Sequence, residues 1–138
     1  MSYLSGESMF ADTTLLIDFL RGDQKAINII HKAVSAPLFT SEINVFELID
    51  GVYAASWEIQ PHLEKVLAML TKMTVLPFDR KAALKAGMIS GMLTKEGKKI
   101  GEADCLIAGV ALANGINKIA TKNKNHFTKI DGLEVISY

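Results

Sequence analysis

Three acidic side chains, Asp12, Glu47 and Asp104, stand where a small chain can gather them. Asp12 directly follows the short apolar run Met9 to Ala11. Asp104 opens the apolar run that ends at Asn114-Gly115. A set of oxygen donors without cysteine or histidine suits a hard cation, Mg²⁺ or Mn²⁺, and not zinc. Such an ion activates water for in-line phosphodiester hydrolysis and offsets charge on the phosphate. No Ser-His constellation and no reactive cysteine offers a rival nucleophile. The one cysteine, Cys105, lies in an apolar helical run and reads as a small buried hydrophobe.

Each acid also has a plain alternative. Asp12 before Thr13-Thr14 makes a good helix N-cap, favoured by the helix dipole. Asp104 sits in a first helical turn, where a carboxylate is welcome on the same grounds. Yet at about 100° per residue it shares a stripe with Ile107, Ala108 and Ala111. A carboxylate buried there needs a metal, a proton or a partner. Glu47 has the least to recommend it. The apolar stripe of its helix reads as Val45, Phe46, Leu48, Ile49, Val52 and Tyr53, which leaves Glu47 opposite, beside Ile43 and Gly51.

The elements that must position these residues alternate between strand and helix. Strands are predicted at Met9 to Ala11, Pro37 to Thr40, Thr74 to Phe78, Lys118 to Thr121 and Leu133 to Ile136. Helices are predicted from Thr13 to Leu20 and from a cap at Asp23 to about Val34. Others run from a cap at Ser41 over Glu42 to Ala55, and from Ile59 or Pro61 to about Lys72. A long one is capped by Asp79 and runs to about Thr94, and the last covers Asp104 to Ala113. Alternation of this kind implies parallel strands with right-handed crossovers, hence an α/β fold, a three-layer α/β/α sandwich around a short-stranded parallel sheet. Ligands in such sheets bind at the carboxyl ends of the strands. Asp12 and Asn123 follow strands directly, whereas chain tracing leaves the position of Asp104 open.

Composition sets the bounds. The 138 residues fit one domain, taken as 9–138, with residues 1–8 as a flexible N-terminal extension. Lys+Arg and Asp+Glu both number 15, so no global basic field draws in nucleic acid, and contact must come from a local patch. Lys95, Lys98 and Lys99 before Asp104, with Lys122 and Lys124 around Asn123, could hold RNA phosphates or simply line solvated loops. No apolar stretch approaches the roughly 20 residues that span a bilayer. A lone cysteine and the absence of a signal peptide fit a reducing cytoplasm.

The segments Phe10-Ala-Asp-Thr-Thr-Leu-Leu-Ile-Asp-Phe-Leu20, Thr40-Ser-Glu-Ile-Asn-Val-Phe-Glu-Leu48 and Val75-Leu-Pro-Phe-Asp79 carry a resemblance. So do Ile100-Gly-Glu-Ala-Asp-Cys-Leu-Ile-Ala108 and Ile119-Ala-Thr-Lys-Asn-Lys-Asn-His-Phe127. In this order they resemble PIN-domain proteins, and among them the VapC-type toxin ribonucleases of VapBC toxin–antitoxin systems. The resemblance implies a PIN-like, Rossmann-like topology. It places the family's metal-holding carboxylates on Asp12, Glu47 and Asp104. It implies Mg²⁺ or Mn²⁺, cleavage of RNA, often tRNA, a VapB-type antitoxin partner and a homodimer.

The chain departs from the pattern at the fourth position. Many PIN domains carry an aspartate after the fourth strand, and here Asn123 and His126 are the candidates. An amide oxygen ligates a hard cation or positions water without adding charge, so Asn123 is taken as a neutral helper. Asp79 reads as a helix cap and Asp18 as surface or structural. Two other functions are compatible with the residues: a PIN-like RNA- or protein-binding module without catalysis, and a housekeeping RNA-processing nuclease. A nucleotide-binding or phosphoacceptor domain fits less well, since G-x-G-x-x-G and Walker A loops are absent and residue 11 is alanine.

Overall fold

Each strand is three or four residues long, and its side chains alternate between two separate cores. The computed structural model describes residues 8–32 and 37–138. In chain order the elements are β1 (Met9–Ala11), α1 (Thr13–Leu20), α2 (Gln24–Lys32), β2 (Leu38–Ser41), α3 (Glu42–Ala55) and α4 (Ile59–Leu70). Then come β3 (Thr74–Leu76), α5 (Arg80–Lys95), α6 (Glu102–Ala113), β4 (Lys118–Ala120), α7 (Lys124–Phe127) and β5 (Glu134–Ile136). All strand pairings are parallel, in the order β3-β2-β1-β4-β5.

Period-two alternation builds the three layers. Met9, Ala11, Leu38 and Ala120 face a core made with Leu15, Leu16, Leu48, Val66 and Met69, from α1, α3 and α4. Phe10, Phe39 and Ile119 face the opposite core, made with α5 and α6. The sandwich expected from the alternating pattern is therefore the one formed.

Sequence order reverses across β1. The chain leaves β1 toward β2 and β3, then returns to the other side for β4 and β5. A crevice opens at the carboxyl ends of β1 and β4, the switch point of a doubly wound sheet. Helices between parallel strands run back against them, so the N-termini of α1, α3 and α6 lie at that same edge. This settles where Asp104 sits, which chain tracing alone leaves open.

Several boundaries shift for local reasons. Ser41 both closes β2 and caps α3: its side chain accepts from the Asn44 N–H, and the Asn44 side chain returns the contact to the Ser41 N–H. β3 stops at Leu76, since Pro77 has no N–H to give a ladder. The last core helix starts at Glu102, ahead of Asp104. The one-turn α7 was not expected. Asp23 and Asp79 cap as predicted, accepting from Ala26 N at 3.0 Å and Ala82 N at 3.1 Å. The expected end of the second helix near Val34, and residues 1–7 of the proposed extension, lie outside the described residues. Ser8 is buried. No helix of the described residues is long and apolar enough to cross a membrane.

α6 is buried on nearly all sides, between the sheet and α5. Gly109 makes this possible: a Cβ there would lie 2.6 Å from Ala86 Cβ and 2.8 Å from both Ala82 O and Ala86 N. At Gly87 and Gly91 on α5, by contrast, a Cβ would meet nothing within 4 Å. Gly109→Ala is expected to lower the urea midpoint, with overpacking of about 1–3 kcal/mol outweighing the helix-propensity gain of up to about 1 kcal/mol. Gly91→Ala is expected to raise stability by up to about 1 kcal/mol, and the midpoint with it. A rise for Gly109→Ala would rule out so close an α5–α6 approach.

Candidate active site

Asp12 leaves β1 at the switch point, and its side chain is only 3% exposed. It occupies the N-cap position of α1 yet makes no side-chain cap hydrogen bond. Its carboxylate is turned into the crevice instead. Thr121 Oγ1 donates to Oδ2 at 2.6 Å and Asn44 Nδ2 donates to Oδ1 at 3.3 Å. Thr14 Oγ1 lies 3.4 Å from Oδ2. Burial pushes the carboxyl up from 3.8 to about 6, against the lowering effect of Thr121, and the charges of Asp104 and Glu47 push it further the same way.

Glu47 is half-buried and accepts from Thr13 Oγ1 at 2.5 Å. The helix face proposed from the sequence is corrected here. α3 turns Asn44 and Leu48 fully inward, while Phe46 and Tyr53 of the supposed apolar stripe are exposed. Glu47 borders the inner face. The capping box sets this rotation, because it commits Asn44 to the interior, where its Nδ2 also donates to Thr13 Oγ1 at 2.9 Å.

Asp104 stands in the first turn of α6, and Gly101 holds the N-cap position without a side-chain cap. Its Oδ2 accepts from Asn123 Nδ2 at 2.9 Å and meets His126 Nδ1 at 2.5 Å. Asn123 and His126 are themselves 3.1 Å apart. The one-turn α7 is what brings them together. Both candidates for the fourth position thus sit on the same acid.

The structure brings Asp12, Glu47, Asp104, Asn123 and His126 to one edge of the sheet. Thr13, Thr14, Asn44 and Thr121 join them, and these four were missed. The Thr13-Thr14 pair was hidden behind the capping reading of Asp12. Asn44 had a signal, as the third residue after the cap Ser41. Of the lysines, Lys95, Lys98, Lys99 and Lys124 are exposed and in no ion pair among the described residues. Lys122 is engaged, its Nζ lying 2.7 Å from Asp18 Oδ2.

The acidic donors are all oxygens, the chemistry of a hard-cation site. Asp12 is a buried carboxylate with two acidic neighbours and no cationic partner among the described residues, so a cation would relieve it. As the side chains stand, no three acidic, histidine or cysteine groups among the described residues form a ready ligand set. Each carboxylate is instead turned onto a hydroxyl, an amide or an imidazole.

Comparison with known proteins agrees with this architecture. Residues 9–133 match the PIN domain family. The tRNA(fMet)-specific endonuclease VapC of Salmonella typhimurium is 30% identical over 95 residues, spanning 67% of this chain and 71% of that protein. The enzyme of the same name from Shigella flexneri is 25% identical over 122 residues, 88% of this chain and 91% of its own. Among solved structures, the DNA-bound VapBC complex of Salmonella typhimurium superposes with a TM-score of 0.84 at 26% identity, covering 94% of this chain and 97% of the matched one. VapBC2 from Rickettsia felis, bound to a promoter DNA fragment, gives a TM-score of 0.86 at 22% identity, covering 95% and 98%. The chain belongs to the PIN-domain family, in its VapC group.

Proposed function

We propose that the chain is a Mg²⁺- or Mn²⁺-dependent endoribonuclease and the toxin of a toxin–antitoxin pair, with Asp12, Glu47 and Asp104 holding the ion. The observation that carries this reading is Asp12: a carboxylate buried at the switch point, flanked by Glu47 and Asp104, with no cationic side chain beside it among the described residues. The ion would supply charge neutralisation on the phosphate and activation of the attacking water. The chain's own residues supply the rest. Thr121 and Asn44 orient Asp12, Thr13 orients Glu47, and Asn123 with His126 orients Asp104.

RNA is the proposed substrate and tRNA its proposed class, since both curated relatives are named for tRNA(fMet). Lys95, Lys98 and Lys99, exposed ahead of Asp104, and Lys124, beside Asn123, provide cations for its phosphates. A VapB-type antitoxin and a second copy of the chain are the proposed partners, and the cytoplasm the proposed setting. A groove of about 610 Å³, lined by Ile17, Leu20, Leu48, Val52 and Val66, also includes Glu47. An antitoxin seated there would reach the site itself.

The test is cleavage of tRNA by the purified chain, with Mn²⁺ binding followed by calorimetry. Asp12→Asn and Asp104→Asn are expected to lose roughly 100-fold or more in kcat while keeping their far-UV circular dichroism. A wild type that binds no Mn²⁺, or an Asp12→Asn variant that cleaves as well, would sink the reading.

The pH dependence follows from Asp12. Its folded pKa of about 6 exceeds the ordinary 3.8, so the fold favours the protonated form. Without metal, its charge costs on the order of 3 kcal/mol above about pH 6, and that cost fades as pH falls toward 4. Asp12→Asn has no such charge. Its stability advantage over wild type in EDTA is expected to shrink between about pH 7.5 and about pH 4.5. A bound cation favours the ionised form, so Mn²⁺ affinity should rise with pH through about 6. A stability gap independent of pH would show that Asp12 is not buried as described.

A further inference from the structure

Lys122 follows Thr121 and precedes Asn123, so its neighbours contact Asp12 and Asp104 respectively. A lysine in that place invites a phosphate, but the structure turns it the other way. Its Nζ lies 2.7 Å from Asp18 Oδ2 on α1. Tyr138, beyond β5, donates its hydroxyl to the same oxygen at 2.9 Å. The Lys122 ammonium also lies 5.5 Å from the centre of the Tyr138 ring. Three parts of the chain far apart in sequence meet on one carboxylate oxygen.

Lys122 is half exposed, and a solvated ion pair by itself contributes little, but the Asp18 end is sheltered. The Asp18 side chain is 14% exposed and takes two donors. The Lys122 hydrogen bond holds Asp18 below the usual carboxylate range. Burial, then Asp18, holds the Tyr138 hydroxyl protonated well above the usual phenol range. Tyr138 also packs against the core that contains Leu15 and Leu16. The backbone is tied as well: Lys122 N donates to Thr14 Oγ1 at 3.0 Å, Asn123 N to Thr121 Oγ1 at 2.9 Å, and Thr121 N to Ile136 O at 3.1 Å.

We propose that Asp18, Lys122 and Tyr138 are positioning residues, a clamp that fixes the Thr121–Asn123 segment and through it the placement of Asp12 against Asp104. The segment touches both acids, so a shift of the segment moves Thr121 on one and Asn123 on the other. The clamp sits behind the site and spends Lys122 on structure. That leaves Lys124, Lys95, Lys98 and Lys99 for phosphate contact. The catalytic consequence rests on the nuclease reading above, whereas the mechanical one does not.

The experiment has two arms on the full chain, with Asp18→Asn and Lys122→Gln. In the first, amide hydrogen exchange is measured without metal. The clamp predicts exchange at Lys122 and Asn123 faster by about 10-fold in Asp18→Asn and Lys122→Gln, with α6 amides unchanged. In the second, kcat and KM are measured on RNA with Mn²⁺. The clamp predicts kcat lower by roughly 10-fold in Asp18→Asn and in Lys122→Gln with KM within about two-fold, and the variant carrying both no worse than either single. Lys122→Arg should restore most of kcat. Unchanged exchange at Lys122 and Asn123 overturns the clamp whatever the activity. A raised, salt-sensitive KM for Lys122→Gln beside an unaffected Asp18→Asn also overturns it, and makes Lys122 a phosphate contact. Variants that exchange as predicted, beside a wild type that cuts no RNA, keep the clamp and remove the nuclease reading.

Discussion

A carboxylate removed from water at the end of β1 is the constraint to which the surrounding structure answers. Asp12 is almost wholly buried, and desolvation favours its neutral form. Two of the groups that touch it come from the carboxyl ends of neighbouring strands or the helix that follows: Thr121 after β4 and Asn44 from α3, which begins where β2 stops. The hydrogen bonds at this edge therefore join three adjacent strand ends. Thr40, on β2, adds a hydroxyl bond to the carbonyl of Ala11 at 2.9 Å. A sheet of three- and four-residue strands has few ladder bonds of its own. Polar side chains at its carboxyl edge supply part of what longer strands would.

The opposite layer contributes through distance. Asp104 reaches the site because α6 starts at the same edge, and α6 lies close because Gly109 lets α5 press on it. Cys105, Ile107, Ala108, Val110 and Ala111 bury the following turns. A helix packed on so many sides cannot easily roll, which fixes the direction of its first-turn acid. Small residues on α6 thus act on the geometry of a carboxylate several residues away. The chemistry of the candidate site is held by packing as much as by hydrogen bonds.

Strand and helix alternation made the three-layer architecture legible, because hydrophobic periodicity is local and survives without tertiary knowledge. Asp12 and Asp104 were legible for a related reason: one follows a strand and the other lies on an apolar stripe. Glu47 was not. Its helix carries Phe46 and Tyr53 on a face that periodicity assigns to the core, but both are exposed, while Leu48, Ile49 and Val52 of that face pack inward beside the buried Asn44. A buried asparagine weighs against hydrophobicity in any such reading, and only its partners, Asp12 and Thr13, explain it. The one-turn α7 was hidden for a similar reason. Four residues are too few for a period, yet they carry His126 to Asp104. The clamp on Asp18 was beyond reach because its partners, Lys122 and Tyr138, stand at the far end of the chain, where no local pattern connects them to α1.

The neutral residue at position 123 has a consequence for how the acids rest. A fourth carboxylate would face Asp104 with like charge and repel it. Asn123 instead donates to Asp104, and His126 lies on the same oxygen. Each of the three acids thereby has a donor of its own: Thr121 for Asp12, Thr13 for Glu47, Asn123 for Asp104. Such a set can persist without a cation, because no carboxylate of the three is left unpartnered. A carboxylate has about four lone-pair sites, so these donors would stay in place beside a bound cation as orienting partners. The donors that keep the site in order without an ion are therefore the groups that would orient its acids toward one, and the amide at 123 does so without adding charge.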